Sequence, residues 1–497
     1  MVATAAAEHE PLVRLELDRR AQSSIIEDGG GTSYTGGGDE SGCNAESDVD
    51  QNNTSHGSSV IQTALNMTKL CMGTGTLALP FAAEKGGLIF NVVGLALIAV
   101  WNYYCANCVL RCRDCLPQRI TCKDSDSDLE RPFAKEQQAY GSVDDDQERL
   151  LQQHDNRKPP PDGTTSYASV AWYAAGPAGL LVVDLLMLLL MVMLIIAYEV
   201  AMISFIDDMP VTTGSRKIDI IIPSVTVALL SCSPDVSFLS KFSIIGLLAL
   251  ALSFIVIVWQ GLVENGLTGF HSSTLNLWPT NITDASSWFG VVVFGYGIVP
   301  FILNFHESMK TPQHIGLAMK MGLALVFFAY IMISSGVRIL FSPSHSFDGD
   351  VLQALPTYSL LALIVRLLMT FVVAMTAPLI VVPCGEMIEG KLGIGTGEAY
   401  KRIGTRVLLC VLCMIVSEHA PGFVHVVSFI GCFCASIIGF VLPPLFCIQL
   451  RHNTWKDRTS KMDFLSYCDI GALVIGIITT IVTSTMTFSE MGRSQQQ

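Results

Sequence analysis

Charge is scarce in this 497-residue sequence: Asp, Glu, Lys and Arg make up 15% of it, against 51% apolar residues and a mean hydropathy of +0.48. That balance excludes an ordinary soluble chain, and the apolar runs that recur along most of the length mark an integral membrane protein. Other absences narrow the class further. No early apolar stretch is followed by a small-residue cleavage site and a soluble remainder, so a removable signal peptide is not expected. No G-K-[ST] phosphate loop occurs, which argues against ATP-driven work. No nucleophile and base share a local signature spacing, so an intramembrane enzyme is not expected. The outward loops of the topology derived below hold no cysteine, so the fifteen cysteines supply no disulfide framework and should stay reduced.

The net charge of −13 is concentrated in two polar segments. Residues 1–57 hold eleven Asp/Glu against three Arg, and residues 113–166 hold twelve against eight Lys/Arg. Both are rich in Ser, Gly, Asp and Gln without apolar periodicity, which predicts disorder. The first reads as an acidic cytosolic tail and the second as a disordered cytosolic loop; residues 489–497 form a C-terminal tail. Neither acidic segment suits nucleic acid, and the N-terminal one is a candidate surface for cytosolic partners.

A bilayer core of ~30 Å takes ~20 helical residues per crossing. On that measure eleven spans are expected, at 58–82, 87–112, 177–206, 218–232, 239–263, 286–308, 313–341, 352–382, 405–418, 423–449 and 466–488. With a cytosolic N-terminus the inward loops carry Lys391, Lys401, Arg402, Arg406, Arg451, Lys456, Arg458 and Lys461. The outward ones carry little more than Arg216 and Lys217, an asymmetry that supports this orientation. Asn281-Ile-Thr283, a glycosylation acceptor triplet, then falls outside.

The first span contains "NMTKLCMGTGTLALPF", residues 66–81. Backbone that leaves the helical ladder inside a membrane is tolerated only where protein buries it or a cavity wets it. Unwinding at Gly73-Thr-Gly75 would free amides at the start of the half-helix running to Pro80, and such N–H groups hold a small anion. The alternative is a flexible, closely packed helix. Span six repeats the pattern in "FGVVVFGYGIVPFILNFHESMK", where Phe294-Gly-Tyr-Gly297 precedes Pro300. Interrupted helices at corresponding places point to a transporter of inverted five-helix repeats, with a zwitterionic solute such as an amino acid held between them.

The runs "GTGTLALPFAAEKGG", "FGYGIVPFILNFHESMK", "RLLMTFVVAMTAPLIVVP" and "FIGCFCASIIGFVLPPLF", in this order and spacing, resemble the eukaryotic amino acid/auxin permease family, within the amino acid, polyamine and organocation superfamily. The resemblance covers roughly residues 58–488 and implies an all-α membrane protein of eleven transmembrane helices, with the leucine-transporter-like fold of two inverted five-helix repeats plus one extra helix. It further implies that Gly73, Thr74, Gly75 and Thr76 hold the substrate carboxylate, that Phe294, Gly295 and Tyr296 face the amino group, and that an aromatic covers the substrate. Thr376 matches a threonine of the sodium site in sodium-coupled members, whereas Lys69 stands where those members carry Asn and proton-coupled ones carry Lys. The lysine favours sodium-independent, proton-linked transport; a snorkelling side chain or ion pair is its alternative.

A proton-coupled carrier needs a titratable group near its pathway. Asp184 and Glu199, both in span three, are the candidates, each also able to pair with Lys69 or Arg366. Glu307 matches an acidic position of the family but lies toward the cytosol, as a gate or loop contact. Cys105, Cys108, Cys112 and Cys115 form one stripe at the end of span two, open to packing, palmitoylation or, least, metal. His306, His314, His419 and His425 show no ligand spacing. Asp146-Gln-Glu-Arg-Leu-Leu151 has the form of an acidic dileucine signal, leaving the plasma membrane or a vacuolar or lysosomal membrane as the address.

The expectation is a secondary active transporter of small neutral amino acids, working by alternating access without cofactor or metal and driven by an ion gradient, of protons. Alternatives are an amino acid sensor with little net flux and a sodium-coupled carrier.

Overall fold

A chain this apolar can cross lipid only by pairing its own backbone, so long helices are the physical consequence of the composition. The computed structural model describes residues 57–114, 116, 159–161, 164–207, 209, 215–232, 242–265, 276–341, 349–356, 359–395, 397–455 and 464–494. These residues are mostly helical, with no strand among them beyond a single isolated bridge between Ser58 and Met309. The two acidic segments, Cys115 and the dileucine-like stretch lie outside, or almost wholly outside, the described residues.

The first expected span is broken. Helix α1 runs Val60–Cys71, a 3-10 turn follows over Thr74–Ala78, and α2 takes Leu79–Gly86 with Pro80 in its first turn. Next come α3 (Leu88–Asp114), α4 (Ser166–Asp207), α5 (Arg216–Ser231) and α6 (Phe242–Asn265). Helix α4 starts well before the expected 177, because a helix over its first residues joins the span at Gly176, whose φ of 67° turns the chain just ahead of Pro177. The sixth span is broken like the first, into α7 (Ile282–Gly295), a 3-10 turn over Val299–Phe301, and α8 (Ile302–Glu307). Helices α9 (Ile315–Ile331) and α10 (Val337–Phe341) are joined by a π-helical turn, Met332–Gly336.

The eighth span is displaced from its expected 352–382. Val351–Ala354 is a separate 3-10 turn whose neighbouring carbonyls, of Leu352 and Leu355, accept from the buried Arg366 at 3.1 and 2.9 Å. The membrane helix itself is α11 (Leu360–Thr376) continued by α12 (Pro378–Leu392). Then follow α13 (Ala399–His419), α14 (Phe423–Ile430), two π-helical turns at Gly431–Ala435 and Ile437–Val441, α15 (Leu442–Trp455) and α16 (Phe464–Ser494).

Seven of these rods are long and apolar enough to cross a membrane, among them Leu88–Asp114, Ile282–Glu307 and Phe423–Arg451. The segments at Val60–Gly86, Arg216–Ser231, Phe242–Asn265 and Ala399–His419 are helical where spans were expected but do not reach that measure. Exposed leucines, isoleucines and valines such as Leu97, Leu229, Ile255, Leu412 and Ile478 point outward along many of these helices, as lipid-facing side chains do. In Ile282–Glu307 and in Phe423–Arg451, 72% of an 18-residue apolar stretch is buried, more than in the other five membrane-length rods, so the sixth and tenth rods are the most enclosed of the seven.

Contacts tie both ends of the broken helices. At one end the amide of Ser58 donates to Ser308 O at 2.8 Å and that of Lys310 to Ser58 O at 3.0 Å, while Ser166 donates to Glu307 at 3.1 Å. At the other end Arg338 pairs with Glu84, Lys85 sits 3.5 Å from Asp284, and the amide of Leu88 reaches Asn276 O at 2.9 Å.

Candidate functional site

Where the two interrupted helices meet, they enclose a cavity of about 80 Å³. A single water needs about 10–15 Å³ on such a measure, so the space is large enough to admit a small solute. Its polar wall is the first break: Gly73, Thr74 and Gly75 line it, together with Cys71. The sixth span contributes Phe294, Gly295, Gly297 and Phe301. Leu190, Leu194 and Tyr198 of α4, Asn102 of α3, and Ile438, Gly439 and Phe440 of the second π-helical turn complete it. Among the described residues no charged side chain lines the cavity.

The first break is built from bonds that replace the lost ladder. The amide of Thr76 returns to Gly73 O at 3.0 Å, and the Thr76 hydroxyl donates to the same oxygen at 2.6 Å. The Cys71 carbonyl, freed at the end of α1, accepts from the Tyr330 hydroxyl at 2.9 Å. The amides of Thr74 and Gly75 stand ahead of the first 3-10 bond and so have no partner within the turn. In the sixth span Ile298 N donates to Tyr296 O at 2.6 Å and no side chain caps the ends.

The two breaks interlock. A Cβ on Gly75 would stand 2.5 Å from Phe294 Cε1, and one on Gly295 would stand 2.7 Å from the Tyr330 hydroxyl. Each glycine therefore leaves room for an aromatic ring belonging to, or bonded to, the opposite break.

The expected site residues separate accordingly. Gly73, Thr74, Gly75, Phe294 and Gly295 come together at the cavity. Thr76 does not line it; its side chain is spent on Gly73 O. Tyr296 is fully buried against the Tyr330 ring, with 5.1 Å between centroids, so Phe294, and not Tyr296, is the break's aromatic at the cavity. Lys69 is half-buried on α1, next to the lining residue Leu70, and makes no ion pair among the described residues. Thr376 returns its hydroxyl to Val372 O at 2.9 Å and Val373 O at 3.1 Å in its own helix.

Asp184 lies away from the cavity and pairs with Lys391 at 2.9 Å, not with Lys69 or Arg366. Glu199, 1% exposed, accepts from Ser417 of α13 at 3.0 Å and lies beside Ser224 of α5, while its chain neighbour Tyr198 faces the cavity next to Thr74. Cys105, Cys108 and Cys112 are all fully buried; the Cys112 and Cys447 sulfurs are 3.3 Å apart, and Cys108 accepts from Arg111 at 3.0 Å. His306 contacts Arg113 at 2.9 Å, a link between α8 and α3.

Tyr198, Asn102 and the stretch Ile438–Phe440 were not singled out by the sequence pattern. A lone polar residue in an apolar run, as in "LIAVWNYY" and "IIAYEVAM", was the available signal for the first two. Nothing distinguished Gly439 from its neighbouring glycines.

Residues 56–134 and 150–489 match the family described as transmembrane amino acid transporter protein. Amino acid transporter ANT1 of Arabidopsis thaliana is 22% identical over 85% of this chain and 92% of its own length. Amino acid transporter AVT3C of the same plant is 23% identical over 41% of this chain and 43% of its own. The Vesicular GABA transporter of Caenorhabditis elegans is 20% identical over 48% of this chain and 51% of its own. With AVT3C and the GABA transporter the chain thus spans about half of the relative's length. Among solved structures, MhsT in complex with L-phenylalanine aligns over 86% of this chain and 98% of that one, at a TM-score of 0.43 and 10% identity.

Proposed function

The chain belongs to the transmembrane amino acid transporter protein family, and from that premise we propose that it is a secondary active carrier of small neutral amino acids, proton-coupled and independent of sodium. The observation that carries this reading is the meeting of two interrupted helices at one small cavity without charged side chains. A zwitterion's two charges would be met by peptide groups: its carboxylate by the amides of Thr74 and Gly75, its ammonium by carbonyls of the sixth break. A charged side chain on the solute would find no counter-charge among the described lining, and its desolvation is costly, which favours neutral substrates.

Alternating access would work by releasing one end while the other stays tied. The Ser58–Ser308–Lys310 backbone bonds and the Arg338–Glu84 pair sit on opposite ends of the broken helices and suit the two gates. By the placement of Lys and Arg in the loops, the Ser58 end faces the cytosol. A vacuolar or vesicular membrane suits the names of its relatives, which include a Vacuolar amino acid transporter 3 of Schizosaccharomyces pombe.

For the coupling proton we assign Glu199, buried on the helix that also carries Tyr198 into the cavity, and not Asp184, which an ion pair occupies. Lys69, four residues ahead of the first break and without an ion pair among the described residues, stands where proton-coupled members carry lysine, which supports sodium independence.

The test is uptake of labelled amino acids by liposomes containing the full chain, with and without sodium and with an imposed pH gradient. One pH unit is worth about 1.4 kcal/mol, so one proton per substrate gives an accumulation ratio of about tenfold. Glu199→Gln should keep exchange of internal for external substrate but lose the accumulation. Accumulation that needs sodium at every pH, or that survives in Glu199→Gln, would refute the coupling.

A further inference from the structure

The glycines of the tenth rod do two different things. A Cβ on Gly431 would overlap the carbonyl of Gly290, and one on Gly290 would overlap that of Ser428, so these two glycines let α7 and the tenth rod touch backbone to backbone. Gly439, in the second π-helical turn of the same rod, is buried and lines the cavity, yet a Cβ built on it meets no heavy atom within 4 Å beyond its own turn and chain neighbours. Neighbouring backbone does not require glycine there, and its φ is not in the left-handed region. What the missing side chain leaves is empty volume inside the cavity.

The walls beside that volume are apolar and held in place. Phe440 stacks on Trp101 with 4.4 Å between centroids and 11° between planes, so its ring is not free to swing aside. Leu190, Leu194 and Ile438 line the same cavity and are apolar, whereas the breaks supply peptide groups able to meet charge.

Resting on the transport reading, we propose that Gly439 sets the size limit for the substrate side chain: the amino and carboxylate groups stay at the breaks, and the side chain fills the space that Gly439 leaves open. Glycine, alanine and valine enlarge the side chain in steps and so probe that space. A methyl at position 439 subtracts from that space without meeting any other element of the protein, so its cost falls on the larger substrates. One methylene more or less in an apolar pocket changes discrimination by about ten- to two-hundredfold.

The experiment uses the full chain in liposomes, loaded with unlabelled substrate and assayed by exchange with labelled glycine, alanine and valine, for the parent, Gly439→Ala and Gly439→Val. Gly439→Ala should lower valine exchange relative to glycine by about tenfold or more, with glycine within about twofold of the parent, and Gly439→Val should extend the loss to alanine. Equal scaling of all three substrates, or an unchanged size order, overturns the proposal. If Gly439→Val does not fold, Gly439→Ala decides.

Thermal unfolding of the purified proteins with the same amino acids separates this proposal from the transport reading. A parent that binds but exchanges none of them sinks transport, and the order in which they protect Gly439→Ala still decides the role of Gly439. A parent that neither exchanges nor binds any of them overturns both.

Discussion

The two interrupted helices reach the same cavity by different constructions. In the first, side-chain hydroxyls take over for the missing helical bonds: Tyr330 caps Cys71 O at 2.9 Å and Thr76 caps Gly73 O at 2.6 Å. In the sixth no side chain caps the break; it is held by the Ile298 N to Tyr296 O turn and by rings packed on glycine. The first break is therefore fastened by hydroxyls, one within the turn and one from α9, whereas the sixth is shaped by fit. Because Phe294 covers Gly75 and Tyr330 both caps α1 and backs Gly295, neither break is independent of the other. A carrier that must move its two half-helices together gains from such reciprocity.

The strongest way to break this comparison is to overfill it. Gly75→Ala drives a methyl into the Phe294 ring, at an overpacking cost of about 3 kcal/mol, and should nearly abolish exchange. Removing the ring in the double variant Gly75→Ala/Phe294→Ala should recover stability, with a coupling of about 1–3 kcal/mol in a double-mutant cycle of unfolding midpoints. Additive losses would mean that the breaks do not interlock.

Tyr330→Phe tests the external fastening. It leaves the Cys71 carbonyl buried without its partner, which costs about 2 kcal/mol, and should lower both unfolding midpoint and exchange rate. The same change removes the oxygen closest to a Cβ on Gly295, so it should soften the effect of Gly295→Ala. If Tyr330→Phe makes Gly295→Ala worse, the shared role assigned to Tyr330 is wrong.

The smallest effect belongs to Thr76→Val. The backbone bond from Thr76 N to Gly73 O persists at 3.0 Å, so losing the hydroxyl should cost about 1 kcal/mol and change exchange only a few-fold. A total loss of transport would place Thr76 at the substrate after all.

Much of this architecture was legible in the residues. Gly73-Thr-Gly75 and Phe294-Gly-Tyr-Gly297, each followed by proline, announced the breaks, because glycine weakens a helix interior and proline suits the first turn of a new one. Helix positions followed from apolar length, with errors where a second element abutted a span, as at Gly176 and at Val351–Ala354. The choice between Phe294 and Tyr296 was not legible. Two residues apart on one broken rod, they point in different directions, and which one meets the cavity depends on how the rod is rotated against its neighbours. The pairing of Asp184 with Lys391 was hidden likewise, since 207 positions separate them.

Local chemistry, then, was enough to say that the chain crosses lipid and where its backbone must give way, since those consequences act within a few residues of their cause. Which side chains share the cavity was settled by packing between distant helices. Tyr198 came in beside Thr74, Glu199 turned away to Ser417, and Gly439 was left facing empty space while Gly431 was pressed against Gly290. A glycine reads the same in either place; only the surface brought against it distinguishes a contact from a vacancy.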